Sequence, residues 1–262
     1  MADTPLGKPL GVPALDRALT VLETLAHSRK GYSVSELSRR LELPKSSVHL
    51  ILRTLERRGY LQKHAASGRY RFGLKLVGLG RAALEGVELR DEARPALTSL
   101  AHATDLTVHM GVLERSEVVI IERIESTSAV RVVSWVGRRL DANSTAVGKA
   151  LLAFQPPEEQ ERQLRSDRLP RHNDRTIATI PGLKRELERV RAQGYSLCDE
   201  EDEIGVRCVG APILNEHGCA VAAISVAGTT TQIPADRMPA LADAVVATAR
   251  EISGGLQRSE PL

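Results

Sequence analysis

Apolar residues in the first part of the chain recur at the spacing of a helix. The first run comprises Leu15, Leu19, Leu22 and Leu25. Because these leucines are four, three and three residues apart, they share one face and predict a helix from about Ala14 to the Lys30–Gly31 pair. Ser33 and Glu36 then form the pattern of a capping box, which predicts the start of a second helix.

A third helix is predicted from Pro44 to Arg58, a short turn after the second. Proline is accepted at the first position of a helix, where no backbone N–H is needed, and Gly59 supplies a C-terminal cap. Its predicted buried positions are Val48, Ile51 or Leu52, and Leu55. Apolar and polar residues then alternate around Tyr70, after a turn signal at Ser67–Gly68, which predicts a β-hairpin.

The order of helix, helix, short turn, helix and hairpin is that of a winged helix-turn-helix. In that fold the N-terminal end of the third helix enters the major groove of DNA, and the hairpin lies along the neighbouring backbone. The candidates for DNA contact are Ser33, Lys45, Ser46, Ser47, His49, Arg53, Arg69 and Arg71. The alternative is a small helical bundle whose basic residues are only solvated.

The rest of the chain mixes helices and β-branched runs without a regular β–α–β repeat. A looser helical pattern over residues 76–90 predicts a connecting helix, which offers a natural surface for a dimer partner. Strands are predicted at 106–113, 118–124, 130–133, 195–198, 206–214 and 220–226, and helices at 95–103, 144–154, 156–164, 181–192 and 234–252. This mixture indicates an α+β fold with a mostly antiparallel sheet.

Charge is distributed unevenly along the 262 residues. Residues 1–75 carry 14 Lys and Arg against 6 Asp and Glu, whereas residues 76–262 carry 22 against 27. A compact basic segment on a mildly acidic body is typical of a protein that binds nucleic acid.

Composition excludes several other classes of protein. No run approaches the ~18 consecutive apolar residues of a membrane span, and the N-terminus lacks the pattern of a signal peptide. The three cysteines include no C-x-x-C pair, which argues against a disulfide scaffold. We therefore expect a cytoplasmic protein with no membrane partner.

Six segments of the chain resemble the IclR family of bacterial transcriptional regulators. They are residues 18–25, 37–61, 70–79, 145–153, 194–212 and 222–228, and together, in this order, they are highly specific. The resemblance implies a winged helix-turn-helix domain and a GAF-like effector-binding domain. It also implies homodimers, often paired into tetramers, on a partly palindromic double-stranded DNA operator, with a small carboxylate or aromatic catabolite as effector.

The predicted domains follow from this resemblance. They are a flexible arm (1–13), a DNA-binding domain (14–75), a linker helix (76–90) and an effector-binding domain (91–262). The family pattern implies an effector site formed by Asn143, Thr145, Ala146, Val147, Cys198, Asp199, Cys208, Ser225 and Ala227. The loop that enters the Gly148 helix offers free N–H groups, which suit a carboxylate.

Two positions depart from the family pattern. Asn143 stands where members often carry His, and Cys198 stands where members that bind small keto acids carry Asp. Both changes remove ionisable groups and favour an uncharged or larger ligand.

Two other functions remain open on the sequence alone. One is an enzyme with an appended nucleic-acid module, with Cys208 or Cys198 as nucleophile and His109 as base; the other is a constitutive architectural DNA-binder. No catalytic constellation can be assembled from the sequence, so we expect a transcriptional regulator, for instance a repressor, with no enzymatic activity, cofactor or metal.

Two further groups of residues each have a structural and a functional interpretation. Cys198, Cys208 and Cys219 are interpreted as buried small hydrophobes, and the alternative is that they meet on adjacent strands as a metal or redox site. The acidic run 199–203 is interpreted as a solvated loop, in which Arg207 pairs with one of the acids.

Overall fold

The computed structural model describes residues 12–28, 30–85, 88–164 and 169–259. These residues divide into two compact units, one on each side of residues 86 and 87. Each unit has a hydrophobic core of its own. In the ranges just given, no helix is long and apolar enough to cross a lipid bilayer.

The first unit contains three helices followed by a hairpin and a further helix. Its elements are α1 (Pro13–Ala26), α2 (Val34–Arg40), α3 (Lys45–Arg57), β1 (Leu61–Lys63), β2 (Tyr70–Phe72) and α4 (Lys75–Glu85). The two strands are antiparallel, with Gln62 opposite Arg71. This order confirms the predicted helix-turn-helix with its hairpin. Pro44 is the N-cap of α3 rather than its first helical residue.

The start of α2 has the predicted capping box. The Ser33 hydroxyl accepts a hydrogen bond from the Glu36 backbone N–H at 3.3 Å, and the Glu36 carboxylate accepts one from the Ser33 N–H at 2.7 Å. Two backbone donors at the helix start are therefore satisfied by side chains.

The core of the first unit lies between the three helices and the hairpin. Its buried members are Val21, Leu25, Leu37, Val48, Leu52, Leu61 and Tyr70. The predicted stripe of α1 is wrong in its first half, because Leu15 and Leu19 are 59% and 48% exposed. The buried residues of α1 all lie in its second half, so the core reaches only that far along the helix.

The second unit is built on a six-stranded antiparallel sheet in the order β5-β4-β3-β8-β7-β6. Its strands are β3 (Thr107–Glu114), β4 (Glu117–Ile124), β5 (Arg139–Asp141), β6 (Ser196–Asp199), β7 (Val206–Leu214) and β8 (Ala220–Thr229). Its helices are α5 (Glu88–Thr104), α6 (Ala146–Ala153), α7 (Pro157–Gln163), α8 (Ile180–Gln193) and α9 (Met238–Ser259). The expected α+β fold with an antiparallel sheet is confirmed.

Helices cover the sheet of the second unit. Helix α6 packs on the central strands and on α8, while α5 and α9 pack on each other and on the sheet. Consecutive residues of β7 from Val209 to Ile213 are buried on both faces of the strand, as a sheet covered on both sides requires.

Several predictions about the boundaries of elements are wrong. Residues 130–133 form no strand, and Val130 and Val133 are exposed. A strand forms instead at β5, whose three residues are too few to show an alternating pattern. Residues 86 and 87, between α4 and α5, lie outside the described residues, so the connecting helix predicted over 76–90 stays a prediction. Helix α5 also begins earlier than predicted and continues through Pro95, an exposed residue.

Of the predicted flexible arm, residues 1–11 lie outside the described residues, and Pro13 already belongs to α1.

Candidate functional site

A cavity in the second unit lies between the sheet and the start of α6. The sheet contributes His109, Ile120, Leu140, Cys198, Val206, Cys208, Ser225 and Ala227, and the start of α6 contributes Thr145, Ala146 and Val147. Two irregular segments complete the wall with Val132, Ser134, Arg138, Asp202 and Glu203. About 50 Å³ inside is open to the centres of water molecules. One water needs ~10–15 Å³, so the cavity as it stands holds a few waters or a very small ligand.

Helix α6 begins close against the sheet because one strand leaves room for it. A Cβ added at Gly210 of β7 would lie 3.0 Å from the carbonyl carbon of Ala146. The Ser196 hydroxyl donates a hydrogen bond to the Ala146 carbonyl at 2.6 Å, which fastens the helix start to β6. Glycine at residue 210 and serine at residue 196 thus hold the start of α6 close to the sheet.

The N-terminal end of α6 forms one wall. Thr145 is the N-cap, and its hydroxyl accepts a hydrogen bond from the Gly148 N–H at 3.2 Å. The N–H groups of Ala146 and Val147, in the first turn, have no acceptor within the helix. Since a helix N-terminus carries a partial positive charge, this wall suits an anion or another hydrogen-bond acceptor.

Two polar atoms in the wall lack hydrogen-bond partners among the described residues. They are Nε2 of His109 and the Ser134 hydroxyl oxygen, and both are buried. Buried polar side-chain atoms in native proteins are mostly hydrogen-bonded to protein or to water. A ligand or water that carries polar groups would satisfy both atoms.

The imidazole of His109 is neutral at neutral pH. Burial, the largest cause, and the positive charges of Arg123 and Arg138 together lower its pKa from 6.5 to about 4. A neutral ring keeps one donor and one acceptor nitrogen, so His109 adds hydrogen-bonding capacity to the cavity without adding charge.

Arg138 brings the positive charge of the cavity wall. Its guanidinium donates to the Val133 carbonyl at 2.6 Å and lies over the Trp135 ring, 5.3 Å from the ring centre. These contacts hold the side chain in place beside the cavity. Arg139 is next in sequence but points away and pairs with Glu114 and Glu117.

Seven of the nine predicted effector-site residues line this cavity. They are Thr145, Ala146, Val147, Cys198, Cys208, Ser225 and Ala227. Asn143 is absent from its wall, because the buried amide donates to the carbonyls of Pro170 and Ile177, both at 3.0 Å. Asp199 is absent too, because its carboxylate pairs with Arg207 at 2.5 Å.

Sequence reasoning missed several residues of the wall. It considered His109 only as the base of an enzyme, although an ionisable residue between Val108 and Met110 on a buried strand is a signal in itself. The strand register, which places His109 opposite Ser225, is needed to show that this residue belongs to the cavity. Ser134 and Arg138 lie in an irregular segment, and no periodic pattern indicates where they point.

The acidic run 199–203 is not the solvated loop that the sequence suggested. Its first four residues are each engaged, in the contacts Asp199–Arg207 at 2.5 Å, Glu200–Arg175 at 2.8 Å, Glu201–Lys149 at 2.6 Å and Asp202–Ser144 at 3.1 Å. Five neighbouring carboxylates repel one another unless the fold supplies partners for them. With Asp202 and Glu203 in its wall, the run forms one side of the cavity.

A second candidate site lies on α3 in the first unit. Lys45, His49 and Arg53 are four residues apart and exposed, so they lie along one face of the helix. Ser46 is exposed, and Ser47 is half-buried. The N-cap Pro44 makes no side-chain hydrogen bond. The first-turn N–H groups therefore remain available to a phosphate.

The other predicted DNA contacts have partners within the chain. Ser33 is used in the capping box of α2. The Arg69 guanidinium donates to the Gly31 carbonyl at 2.7 Å and pairs with Glu36 at 2.5 Å, which fastens the hairpin to the start of α2. Arg71 is exposed and makes one longer contact, to the Lys30 carbonyl at 3.3 Å. Of the two hairpin arginines, Arg71 is thus the freer to reach DNA.

In the residues that the structure describes, no group of three or more His, Cys, Asp or Glu side chains is arranged to hold a metal ion. The three cysteines are free thiols. Cys198 and Cys208 lie opposite each other on neighbouring strands. Cys219 follows β7 in the turn to β8, where its N–H donates to Asn215. The sequence alternative in which all three meet is therefore not what the fold provides.

Comparison with known proteins gives consistent results for both units. A model of the IclR helix-turn-helix domain matches residues 14–65, and a model of the bacterial transcriptional regulator IclR C-terminal domain matches residues 81–254. The HTH-type transcriptional regulator BhcR of Paracoccus denitrificans is 36% identical over 246 residues, which are 94% of this chain and 88% of the relative.

Solved structures show the same fold over nearly the whole chain. The crystal structure of the Thermotoga maritima IclR has a TM-score of 0.77 and 32% identity, with 94% of this chain and 99% of that chain covered. The crystal structure of an IclR homolog from Microbacterium hydrocarbonoxydans, complexed with 4-hydroxybenzoate, has a TM-score of 0.79 and 27% identity, with 94% and 100% covered.

Proposed function

The chain belongs to the IclR family of bacterial transcriptional regulators, and we propose that it is a ligand-responsive member that binds operator DNA through its first unit and an effector in the cavity of its second. The observation that carries the proposal is the cavity itself. It combines a helix N-terminus, the cation of Arg138 and two buried polar atoms, on His109 and Ser134, that have no partner within the part of the chain that the structure describes. The predicted domain ranges 14–75, 76–90 and 91–262 are part of this proposal.

The effector is a small organic acid with an apolar part. The N-terminal end of α6 and the Arg138 guanidinium favour a carboxylate. The carboxylates of Asp202 and Glu203, which also line the cavity, favour a hydrogen-bond donor as the second polar group of the ligand, and Ser134 and the neutral His109 suit such a group too. Apolar contact comes from Ile120, Leu140, Val147 and Val206. The expectation of an uncharged or larger ligand rested on Asn143 and Cys198 alone, and an acid differs from its uncharged alternative. The 4-hydroxybenzoate of the Microbacterium homologue, a carboxylate and a phenol on one ring, has the chemistry that these walls suit.

A ligand with a ring needs more than the space of about 50 Å³ that the cavity offers. The acidic run 199–203 or the segment between β4 and β5 therefore moves outward when such a ligand enters. A ligand changes DNA binding only if it binds the DNA-competent and the DNA-incompetent states with different affinity, typically by ~1–3 kcal/mol. We propose that displacement of one of these wall segments is the source of that difference in affinity.

On the DNA side, α3 enters the major groove with Lys45, Ser46 and Ser47 at its leading end. His49 and Arg53 continue along the same helix, and Arg71 reaches the backbone from the hairpin. Family membership supports a homodimer or tetramer on a partly palindromic operator. The exposure of Leu74, Val77 and Leu79 at the start of α4, at 83%, 67% and 47%, supports the predicted dimer surface there.

The alternative of an enzyme, with Cys208 or Cys198 as nucleophile and His109 as base, is less well supported. Its predicted base, His109, has an Nε2 atom with no hydrogen-bond partner in the described ranges, so that atom pairs with neither Cys198 nor Cys208. A nucleophile and its base are expected within hydrogen-bond reach of each other. We therefore keep the expectation that the protein is not an enzyme.

Calorimetric titration with a panel of small acids that includes 4-hydroxybenzoate tests the effector site. At least one acid is expected to bind, and Ala227→Val, which fills part of the cavity, is expected to abolish that binding. Val221→Leu enlarges an exposed side chain at the other end of the same strand and is the control. An acid that binds Ala227→Val as well as the wild type would place its site elsewhere.

A further inference from the structure

Two thiols face each other in the wall of the cavity. Cys198 of β6 and Cys208 of β7 are direct partners in the antiparallel ladder, and both line the cavity. Directly opposite residues of an antiparallel pair project to the same face of the sheet. The two sulfur atoms therefore lie on one side of the sheet, beside each other.

The ladder holds the two residues at a spacing that a disulfide accepts. Two residues further along, the Glu200 N–H donates to the Val206 carbonyl at 3.0 Å, which marks a hydrogen-bonded pair. Cys198 and Cys208 therefore form a hydrogen-bonded pair as well, for which the Cα atoms are ~5.5 Å apart. Disulfides span Cα separations of ~4.4–6.8 Å.

The two thiols also affect each other's ionisation. Interaction with the Cys208 thiol lowers the pKa of Cys198, whereas the same interaction, together with burial, raises the pKa of Cys208 well above its usual value. The first proton is therefore lost most readily from Cys198, and the resulting thiolate is the nucleophile of the pair.

We propose that Cys198 and Cys208 form a reversible disulfide when a hydroperoxide oxidises the protein. The Cys198 sulfur attacks the outer oxygen of the hydroperoxide, the O–O bond breaks, and an alcohol or water leaves with the proton of the thiol. Cys198 is then a sulfenic acid. The Cys208 sulfur attacks the Cys198 sulfur, the S–O bond breaks, and water leaves with the Cys208 proton. Two thiols are oxidised to one disulfide, and one hydroperoxide is reduced.

The disulfide would alter the cavity that contains it. It removes the thiol donor of Cys208 and joins two side chains of the cavity wall. Because the ladder fixes the strands, the bond adapts its geometry little, and constrained disulfides are the more easily reduced and regulatory ones. The consequence for effector binding rests on the proposed function, whereas formation of the bond does not.

Mass spectrometry of peroxide-treated protein tests the proposal. Full-length Cys219→Ser is treated with hydrogen peroxide, alkylated, and digested with trypsin, which cleaves after Arg191, Arg207 and Arg237. The expected product is peptide 192–207 joined to peptide 208–237, with a mass two hydrogens below the sum of the two peptides. Dithiothreitol is expected to separate the joined peptides. Adding Cys198→Ser or Cys208→Ser is expected to abolish the link. If Cys219→Ser does not fold, the wild type serves, since fragmentation of the joined peptides distinguishes Cys208 from Cys219.

Two outcomes of this experiment overturn the proposal. In one, both thiols remain free to be alkylated after peroxide treatment; in the other, either cysteine is oxidised to a sulfenic or sulfinic acid with no link between the peptides. Repeating the acid titrations with oxidised protein separates the two proposals. A linked protein for which no acid binds either form contradicts the effector site and leaves the disulfide standing.

Discussion

The ammonium group of Lys149 lies 2.6 Å from the carboxylate of Glu201, and the lysine side chain is only 1% exposed. Glu186 of α8 approaches the same ammonium at 3.3 Å. One buried cation thus joins α6, α8 and the acidic run that forms a wall of the cavity. Burial raises the pKa of Glu201, and the charge of Lys149 opposes that rise.

Lys149→Met is expected to lower the free energy of unfolding by about 3 kcal/mol, because it leaves two carboxylates without their buried partner. The loss should be smaller at pH 5 than at pH 8, because the unpaired Glu201 then takes up a proton in the folded state. Urea denaturation at the two pH values measures this. Arg189→Met removes an exposed partner of the same Glu186 and should cost less than ~1 kcal/mol. Equal losses for the two variants would contradict the account of Lys149.

His109 gives the second unit a defined pH dependence. Its pKa is about 4 in the folded protein, against 6.5 for an unperturbed histidine side chain. Between these values the unfolded chain binds a proton that the folded chain does not, so stability is complete above pH 6.5 and declines as the pH falls to about 4. The contribution amounts to about 3 kcal/mol.

NMR titration of the imidazole resonances measures this directly, with His109→Gln to assign the signal. In urea denaturation, the free energy of unfolding of the wild type should fall relative to that of His109→Gln as the pH falls from 7 to 4. Exposed His102→Gln, on α5, is the control and should leave the pH profile as it is. A His109 ring that titrates near pH 6.5 would show that it is solvated.

The sequence predicted the fold well wherever a local rule decides the structure. The Ser33–Glu36 capping box and the glycine at residue 59, which ends α3 with a positive φ of 80°, are local arrangements, and the structure has both. It failed where a non-local contact decides. Leu15 and Leu19 have the spacing of a buried face, yet the core of the first unit does not extend to them. Val130 and Val133 have high strand propensity, but among the described residues no strand pairs with them.

Arg138 and Arg139 form a matched pair for testing the ligand site. Arg138→Gln removes the cation of the cavity wall and should weaken binding of a carboxylate effector by tenfold or more, since charged hydrogen bonds contribute ~1.5–3 kcal/mol. Arg139→Gln removes the same charge from a side chain that points to Glu114 and Glu117, and should leave the affinity nearly unchanged. Calorimetric titration of the acid panel compares the two variants, and equal effects would contradict the proposed orientation of the ligand.

On the DNA side, Arg53→Ala should weaken binding to all duplexes and reduce the slope of log affinity against log salt by about one unit. Arg69→Ala should reduce that slope less, because Glu36 already neutralises its guanidinium, and should instead destabilise the hairpin. Fluorescence anisotropy at several salt concentrations, with DNA from upstream of the gene and an unrelated duplex, gives both slopes. Exposed Arg250→Ala on α9 is the control for net charge. A larger slope change for Arg69 than for Arg53 would reverse the assignment.

The candidate site was less predictable than the fold. Seven of its residues were found through family resemblance, which places positions in sequence but does not show where side chains point. Asn143 and Asp199 satisfy the same positional rule, yet one amide is used by two carbonyls and one carboxylate by Arg207. The partners of the acidic run come from α6 and the residues just before it, from β7 and from the loop before α8, so no local sequence pattern predicts them.

Ligand-responsive DNA binding is tested most directly with the full-length protein and DNA from upstream of its own gene, with and without each acid that binds the cavity. We expect specific binding that at least one acid changes by fivefold or more, and that responds no longer in Ala227→Val. Specific binding that stays constant while the cavity is saturated with ligand would contradict the proposed function.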